Sequence, residues 1–202
     1  MELSATVGCK HDVPELIDLA RKQLPSMTYL HDLDSWRSTY RFGAGLHPRD
    51  NYFLVLRAVQ QDGQEPLVGF IWADPSLHVD YGIDQPWWCI NAVAIATPFQ
   101  AGGLGHQLVE AVHEQASTVG VVSIFGLSHP SGFGFWEAQD GFSLTPPGKP
   151  LVSSEPVEIP HSAPRHISLD PEPDHRFFYA STTARQPSDI VLGADRRSGS
   201  EG

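Results

Sequence analysis

Between Trp87 and Gly105 the chain reads WWCINAVAIATPFQAGGLG, an order that few folds accept. An apolar run breaks at Thr97-Pro98 and passes through Gln100-Ala101-Gly102-Gly103-Leu104-Gly105. It then enters a helical pattern in which Leu104, Leu108, Val109 and Val112 share one face. The run over 88–96 is nearly continuous in apolar side chains, as a central strand covered on both faces requires. A buried strand, a glycine turn and a helix start together make an anion site. Backbone N–H groups converge there, where the helix dipole is positive.

The flanking sequence sets this unit inside an α/β domain. Residues 3–8 read as a weak first strand. Asp12 is expected to cap a helix that has Pro14 in its first turn, Leu16, Ile17, Leu19 and Ala20 on its apolar face, and Pro25 beyond its end. A second helix is expected over 32–46. Strands over 51–59 and 66–72 flank the hairpin signal Asp62-Gly63. A polar loop, 73–86, leads into the central run. After the glycine turn and its helix, which Gly120 stops, come a buried strand over 121–127, a short helix within 130–139, a turn at Asp140-Gly141 and a strand from Phe142. Residues 146–173 hold eight of the 17 prolines and read as a surface excursion rather than core. A last strand is expected over 175–182. Residues 183–202 read as a disordered tail. The expected fold class is α/β with a single mixed, mostly antiparallel central sheet flanked by helices. One domain is expected over 1–182, with 146–173 as its insertion.

Composition narrows the partners. The net charge is −11, against a nucleic-acid partner, whose phosphates are bound by Lys and Arg. Cys9 and Cys89 are the two cysteines and form no disulfide framework. No apolar run reaches the length of a membrane span, and the N-terminus lacks a basic region followed by an apolar stretch, so a soluble cytoplasmic protein is expected. The ten histidines include no HExxH and no Cys/His ligand spacing, so no metal is expected.

The glycine turn fails two familiar tests. Gly102, Gly103 and Gly105 do not give G-x-G-x-x-G after a first strand, and no Gly-Lys-Ser/Thr follows. They do match Q/R-x-x-G-x-G/A through Gln100, Gly103 and Gly105. Placed after a hairpin and a central strand, this motif resembles that of the GNAT superfamily of acetyl-CoA-dependent N-acetyltransferases. The Asp12-Val13-Pro14-Glu15-Leu16 helix start, the strand Val68-Gly69-Phe70-Ile71, and Phe135-Trp136-Glu137 with Gly141-Phe142 resemble further motifs of that family in the same order. The resemblance covers about residues 5–145 and the strand at 175–182.

The resemblance implies acetyl transfer from acetyl-CoA to a primary amine, by direct attack in a ternary complex. It implies that the backbone of Gln100, Ala101, Gly102, Gly103, Leu104, Gly105 and His106 holds the coenzyme pyrophosphate. Val93, Ala94 and Ile95 would run beside the pantetheine arm, and Trp136 would lie near the cofactor. The chain departs from the family where protons move. Trp88, Cys89 and Asn91 occupy the positions where a carboxylate base is common, and Trp136-Glu137 stands where a tyrosine acid is usual. Asp84 acting through water, Tyr81 as a donor and His129 after the fifth strand are the substitute candidates. The expected acceptor is a small-molecule amine, and the expected state a monomer or homodimer. A catalytically impaired module that binds an acyl-CoA or a partner, and acyl transfer to a protein amine or a hydroxyl, are the competing classes.

Overall fold

A computed structural model describes residues 2–37, 41–61, 63–75, 77–78, 82–182 and 190–195. The chain divides into two compact units. The first comprises Met1–Asp74 and Ile90–Gln115, and the second Pro75–Cys89 and Ala116–Gly202.

In the first unit, β1 (Glu2–Val7) pairs antiparallel with β2 (Tyr52–Val59), from Glu2↔Val59 to Val7↔Leu54. β2 pairs antiparallel with β3 (Leu67–Asp74), with a bulge at Leu56/Arg57. β3 neighbours β4 (Trp87–Ile95), whose Ile90–Ile95 segment belongs to this unit. β2 and β3 are rich in branched and aromatic side chains and are buried almost throughout. The helix α1 (Val13–Gln23) lays Leu16, Ile17 and Ala20 into a core with Phe53, Val55, Phe70, Ala92 and Ala94.

Two expectations change here. Asp12 does not cap α1 with its side chain. A 3-10 turn over Lys10–Asp12 precedes the helix, so the carboxylate turns back to accept the Cys9 N–H at 2.7 Å. The second helix, α2, is described only over Leu33–Arg37. Ala44 bridges Tyr52, and Gly45 has a left-handed φ of 59°, so no helix runs through 44–46.

In the second unit, Trp87–Cys89 of β4 pairs in parallel with Ser123–Phe125 of β5 (Ser123–Ser128). β6 (Ser143–Leu144) is a two-residue strand. A further sheet follows from β7 (Leu151–Ser153), β8 (Ser168–Leu169) and, after β9 (Arg176–Ser181), β10 (Leu192–Ala194), in the order β10-β7-β8. β9 pairs antiparallel with the whole of β5 and with β6. The helices α3 (Leu104–Val119) and α4 (Phe133–Glu137) complete the elements named here.

The small sheet corrects the reading of 146–173 as a surface excursion. Leu151, Val157 and Ile167 from that stretch are buried with Trp87, Phe125, Phe177 and Leu192 in a second core. The prolines lie outside β7 and β8, where their missing N–H costs no ladder bond. Nor is 183–202 without structure throughout. Leu192–Ala194 pairs with Leu151–Ser153, and Ile190 O accepts the Trp87 indole N–H at 2.7 Å. Residues 183–189 and 196–202 lie outside the described residues. The architecture is the expected class, a mixed α/β fold with a largely antiparallel central sheet flanked by helices. Among the described residues, no helix is long and apolar enough to cross a membrane.

Candidate functional site

The ladder between β3 and β4 closes with the Ala96 N–H donating to Val68 O at 2.8 Å. Thr97–Phe99 then form one 3-10 turn, with Pro98 in the position where its missing N–H is harmless. Gln100 is extended, and Ala101 and Gly103 follow with φ of 57° and 75°. This left-handed backbone reverses the chain and aims it into α3, whose first turn closes when the Gln107 N–H donates to Gly103 O at 3.1 Å. The N–H groups of Leu104 and Gly105 precede that bond, so they point out of the helix start along its axis.

Ala101, Gly102 and Gly103 are exposed, and Leu104 is buried beneath them. A Cβ on Gly103 would meet no atom within 4 Å, and one on Gly102 only Phe99 O at 3.5 Å. The turn therefore presents bare backbone to open space. No Lys or Arg occurs between Trp87 and Gly120, so the positive character here comes from N–H groups and the helix dipole. Such a surface suits an anion that backbone must approach closely, and a phosphate ester is one.

The turn is braced from α1. Gln100 Nε2 donates to Ile95 O at 2.9 Å and to Gln23 Oε1 at 2.8 Å, while Gln23 Nε2 donates to Thr97 Oγ1 at 3.1 Å. Gln100 thus turns its amide into the scaffold, and its contribution to a ligand is to hold the backbone. Gln23 had no signal in the sequence, because its partners lie more than 70 residues away. Arg41, buried between the Trp36 and Trp72 rings at 5.4 and 5.1 Å, was equally unreadable.

Along β4 burial alternates, with Ile90, Ala92 and Ala94 buried and Asn91 and Val93 half-buried. The parallel ladder to β5 spans only Trp87–Cys89. Ile90–Ile95 is the outer strand of the first unit, and an outer strand can pair backbone with an extended ligand.

A family model described as the acetyltransferase (GNAT) family matches residues 13–137, well over half of the chain. The chain belongs to the GNAT family. Its reaction class is acyl transfer. No curated protein sequence matches it. Solved structures share the fold at low identity. A GNAT-family acetyltransferase from Staphylococcus aureus is 14% identical with a TM-score of 0.58, over 90% of this chain and 100% of that one. An aminoglycoside 6'-N-acetyltransferase complexed with coenzyme A is 16% identical with a TM-score of 0.54, over 92% and 99%. N-acetylglutamate synthase from Neisseria gonorrhoeae, complexed with coenzyme A and N-acetyl-glutamate, is 18% identical with a TM-score of 0.56, over 91% of this chain and 36% of that one.

Among the proton-transfer candidates of this GNAT protein, Asp84 is exposed in the loop before β4. Tyr81 lies outside the described residues. His129 is exposed after β5 and caps the 3-10 turn Pro130–Gly132, accepting the Ser131 N–H on Nδ1 at 3.3 Å. With Nδ1 accepting, the neutral ring carries its proton on Nε2. The ring packs edge-on to His175 at 5.3 Å. The hydrogen bond from His175 Nδ1, at 2.9 Å, holds the Asp174 carboxyl below the usual range. Glu172, Asp174 and His175 bring their ligand-capable atoms within 4.8 Å of one another, all toward solvent or half-buried.

Trp136 is a core side chain. It is buried and stacked on Phe178 with centroids 3.4 Å apart and planes 9° from parallel. Phe135 and Phe142 close on it from other sides. Trp87 and Trp88 are buried too, which leaves half-buried Cys89 and Asn91 as the polar positions of β4.

Proposed function

We propose that the protein transfers an acetyl group from acetyl-CoA to the primary amine of a small molecule, by direct attack in a ternary complex. The observation that carries this reading is the bare, left-handed turn at Ala101–Gly103 feeding the start of α3. The backbone from Gln100 to His106 holds the coenzyme pyrophosphate, and only small residues let it approach so closely. Backbone groups of Val93, Ala94 and Ile95 pair with the pantetheine arm as an added strand would. A β4 N–H stabilises the oxyanion when the amine nitrogen bonds to the thioester carbon.

Collapse then breaks the carbon–sulfur bond, and the thiolate takes a proton. His129 is suited to supply it as the imidazolium, with its Nδ1 released from the Ser131 N–H. Asp84 removes the amine proton through water. The acidic balance of the chain, 24 acids against 13 Lys and Arg, favours a cationic amine over a nucleic-acid-bound acceptor.

Calorimetry with acetyl-CoA tests the binding half. Gly102→Glu puts negative charge in the turn without a steric clash, and unchanged coenzyme affinity in that variant rejects the site. Free-thiol release across an amine panel tests the chemistry. Asp84→Asn and His129→Gln are each expected to lower kcat about 10²-fold, and full rates in both remove them from the mechanism.

A second reading is a module that binds coenzyme without catalysis. Its support is that no carboxylate stands anywhere on β4. Coenzyme binding with no thiol release over the panel selects it.

A further inference from the structure

The small sheet of the second unit carries a cavity beside its apolar core. It encloses about 350 Å³ and is walled by the aliphatic side chains of Leu77, Ile83, Ile159, Ile167 and Leu169, with Arg165 among its lining residues. Leu77, Ile83 and Ile167 belong to the packed core, so the floor is fixed by structure that forms anyway. The backbone of Arg165 is clamped as well. Its N–H donates to Val157 O at 3.1 Å, and its carbonyl accepts the Val157 N–H at 2.8 Å.

Arg165 differs from Arg57 and Arg176. Arg57 is spent on Asp12 and Glu15, and Arg176 on Glu137. The Arg165 guanidinium takes no hydrogen-bond or ion-pair partner among the described residues. In a chain with nearly twice as many acids as Lys and Arg, an arginine without a carboxylate is informative. Among the described residues no acidic side chain lines the cavity, and His166, which does line it, is held at Nδ1 by Ser153 O at 2.9 Å.

The geometry points to a binding site for a small aliphatic monocarboxylate, its chain on the leucine and isoleucine wall and its carboxylate on Arg165. One planar guanidinium matches one carboxylate through two parallel hydrogen bonds. A phosphate dianion would call for further fixed cations, and among the described lining residues Arg165 is joined by no Lys or second Arg. Among the described residues the wall holds no aromatic ring on which a nucleobase or arene would stack. A cavity of this size lies at the small end of ligand sites and accepts a medium-chain acid.

The site is tested by binding alone, without acetyl transfer. Octanoate, octylamine and octanol are titrated into the full chain by calorimetry. Octanoate is expected to bind with a Kd on the order of 0.1–1 mM, and octylamine at least about tenfold more weakly. Arg165→Gln, at an exposed position, is expected to weaken octanoate about tenfold or more while acetyl-CoA affinity stays unchanged. Leu169→Gln, on the half-buried wall, is expected to weaken octanoate and octanol alike. No heat with octanoate up to ~10 mM, equal binding of octylamine, or full affinity in Arg165→Gln would each overturn the assignment.

Discussion

The Gln100 amide is tied to Gln23, donating from Nε2 to Oε1 at 2.8 Å, so the last residue of α1 steadies the turn that begins the anion site. A second bond from the same nitrogen, to Ile95 O, fixes the turn to the end of β4. Gln100→Ala removes both bonds on the solvent side of the molecule. It is expected to cost about 1 kcal/mol of stability and to raise the Kd for coenzyme roughly three- to tenfold. Gln23→Ala should reproduce part of the effect without touching the turn, and the double variant should be less than additive. Strict additivity in a double-mutant cycle would mean the two amides do not act together.

Gly102 and Gly103 are adjacent and exposed but differ in backbone. Gly103 has φ of 75°, where an L side chain is strained even in open space. Gly102 needs no such conformation, and a Cβ there makes only an ordinary contact with Phe99 O. Gly103→Ala is therefore expected to destabilise by about 1–2 kcal/mol, and Gly102→Ala by under about 0.5 kcal/mol. Urea melts of the two variants check the ranking. Equal losses would show that the turn has an easy alternative conformation.

What the sequence conveyed follows the range of the forces involved. β2, β3, β4 and β5 stand out as branched or aromatic runs, and α3 as a 3.6-residue stripe, because each signal is local. The left-handed turn was legible for the same reason: clustered glycines report backbone need directly. The small sheet was hidden. Its strands have two or three residues, too few for periodicity, and Leu192 finds Ser153 across some forty residues.

Side-chain duties were the least legible. Gln100 occupies a motif position, yet its amide serves Gln23 and Ile95. Asp12 sits where a cap belongs, but a 3-10 turn ahead of α1 redirects it to Cys9 and Arg57. Each side chain also has one partner distant in sequence, Gln23 for Gln100 and Arg57 for Asp12, and spacing carries no trace of either.

Trp136 separates a packing role from a cofactor role. Its ring is buried on Phe178, so Trp136→Ala is expected to cost about 3–5 kcal/mol and to leave a cavity. Trp136→Phe keeps a stacked ring and should lose much less. In folded protein, coenzyme affinity should be the same for Trp136→Phe and the parent. A tenfold loss of affinity without loss of stability would make the indole a ligand contact instead.

Arg57 sets a pH dependence through Asp12. Its guanidinium donates to Asp12 Oδ1 at 2.5 Å and to Glu15 Oε1 at 3.0 Å. Burial alone would push the Asp12 carboxyl up, but the bonds from Arg57 and from the Cys9 N–H outweigh it and hold the carboxyl below its ordinary value. The unfolded chain, with an ordinary aspartate near pKa 3.9, therefore binds the proton first. The stabilisation is complete above the unfolded value and is lost as pH falls through the folded one, so the window opens below about pH 4. Asp12→Asn should flatten that part of the stability curve. Arg57→Met should cost about 1.5–3 kcal/mol at neutral pH and move the acid transition upward, because it leaves a largely buried carboxylate with one donor fewer. Urea midpoints across the acid range read both effects, and parallel curves for the parent and Asp12→Asn would show that this pair does not govern acid stability.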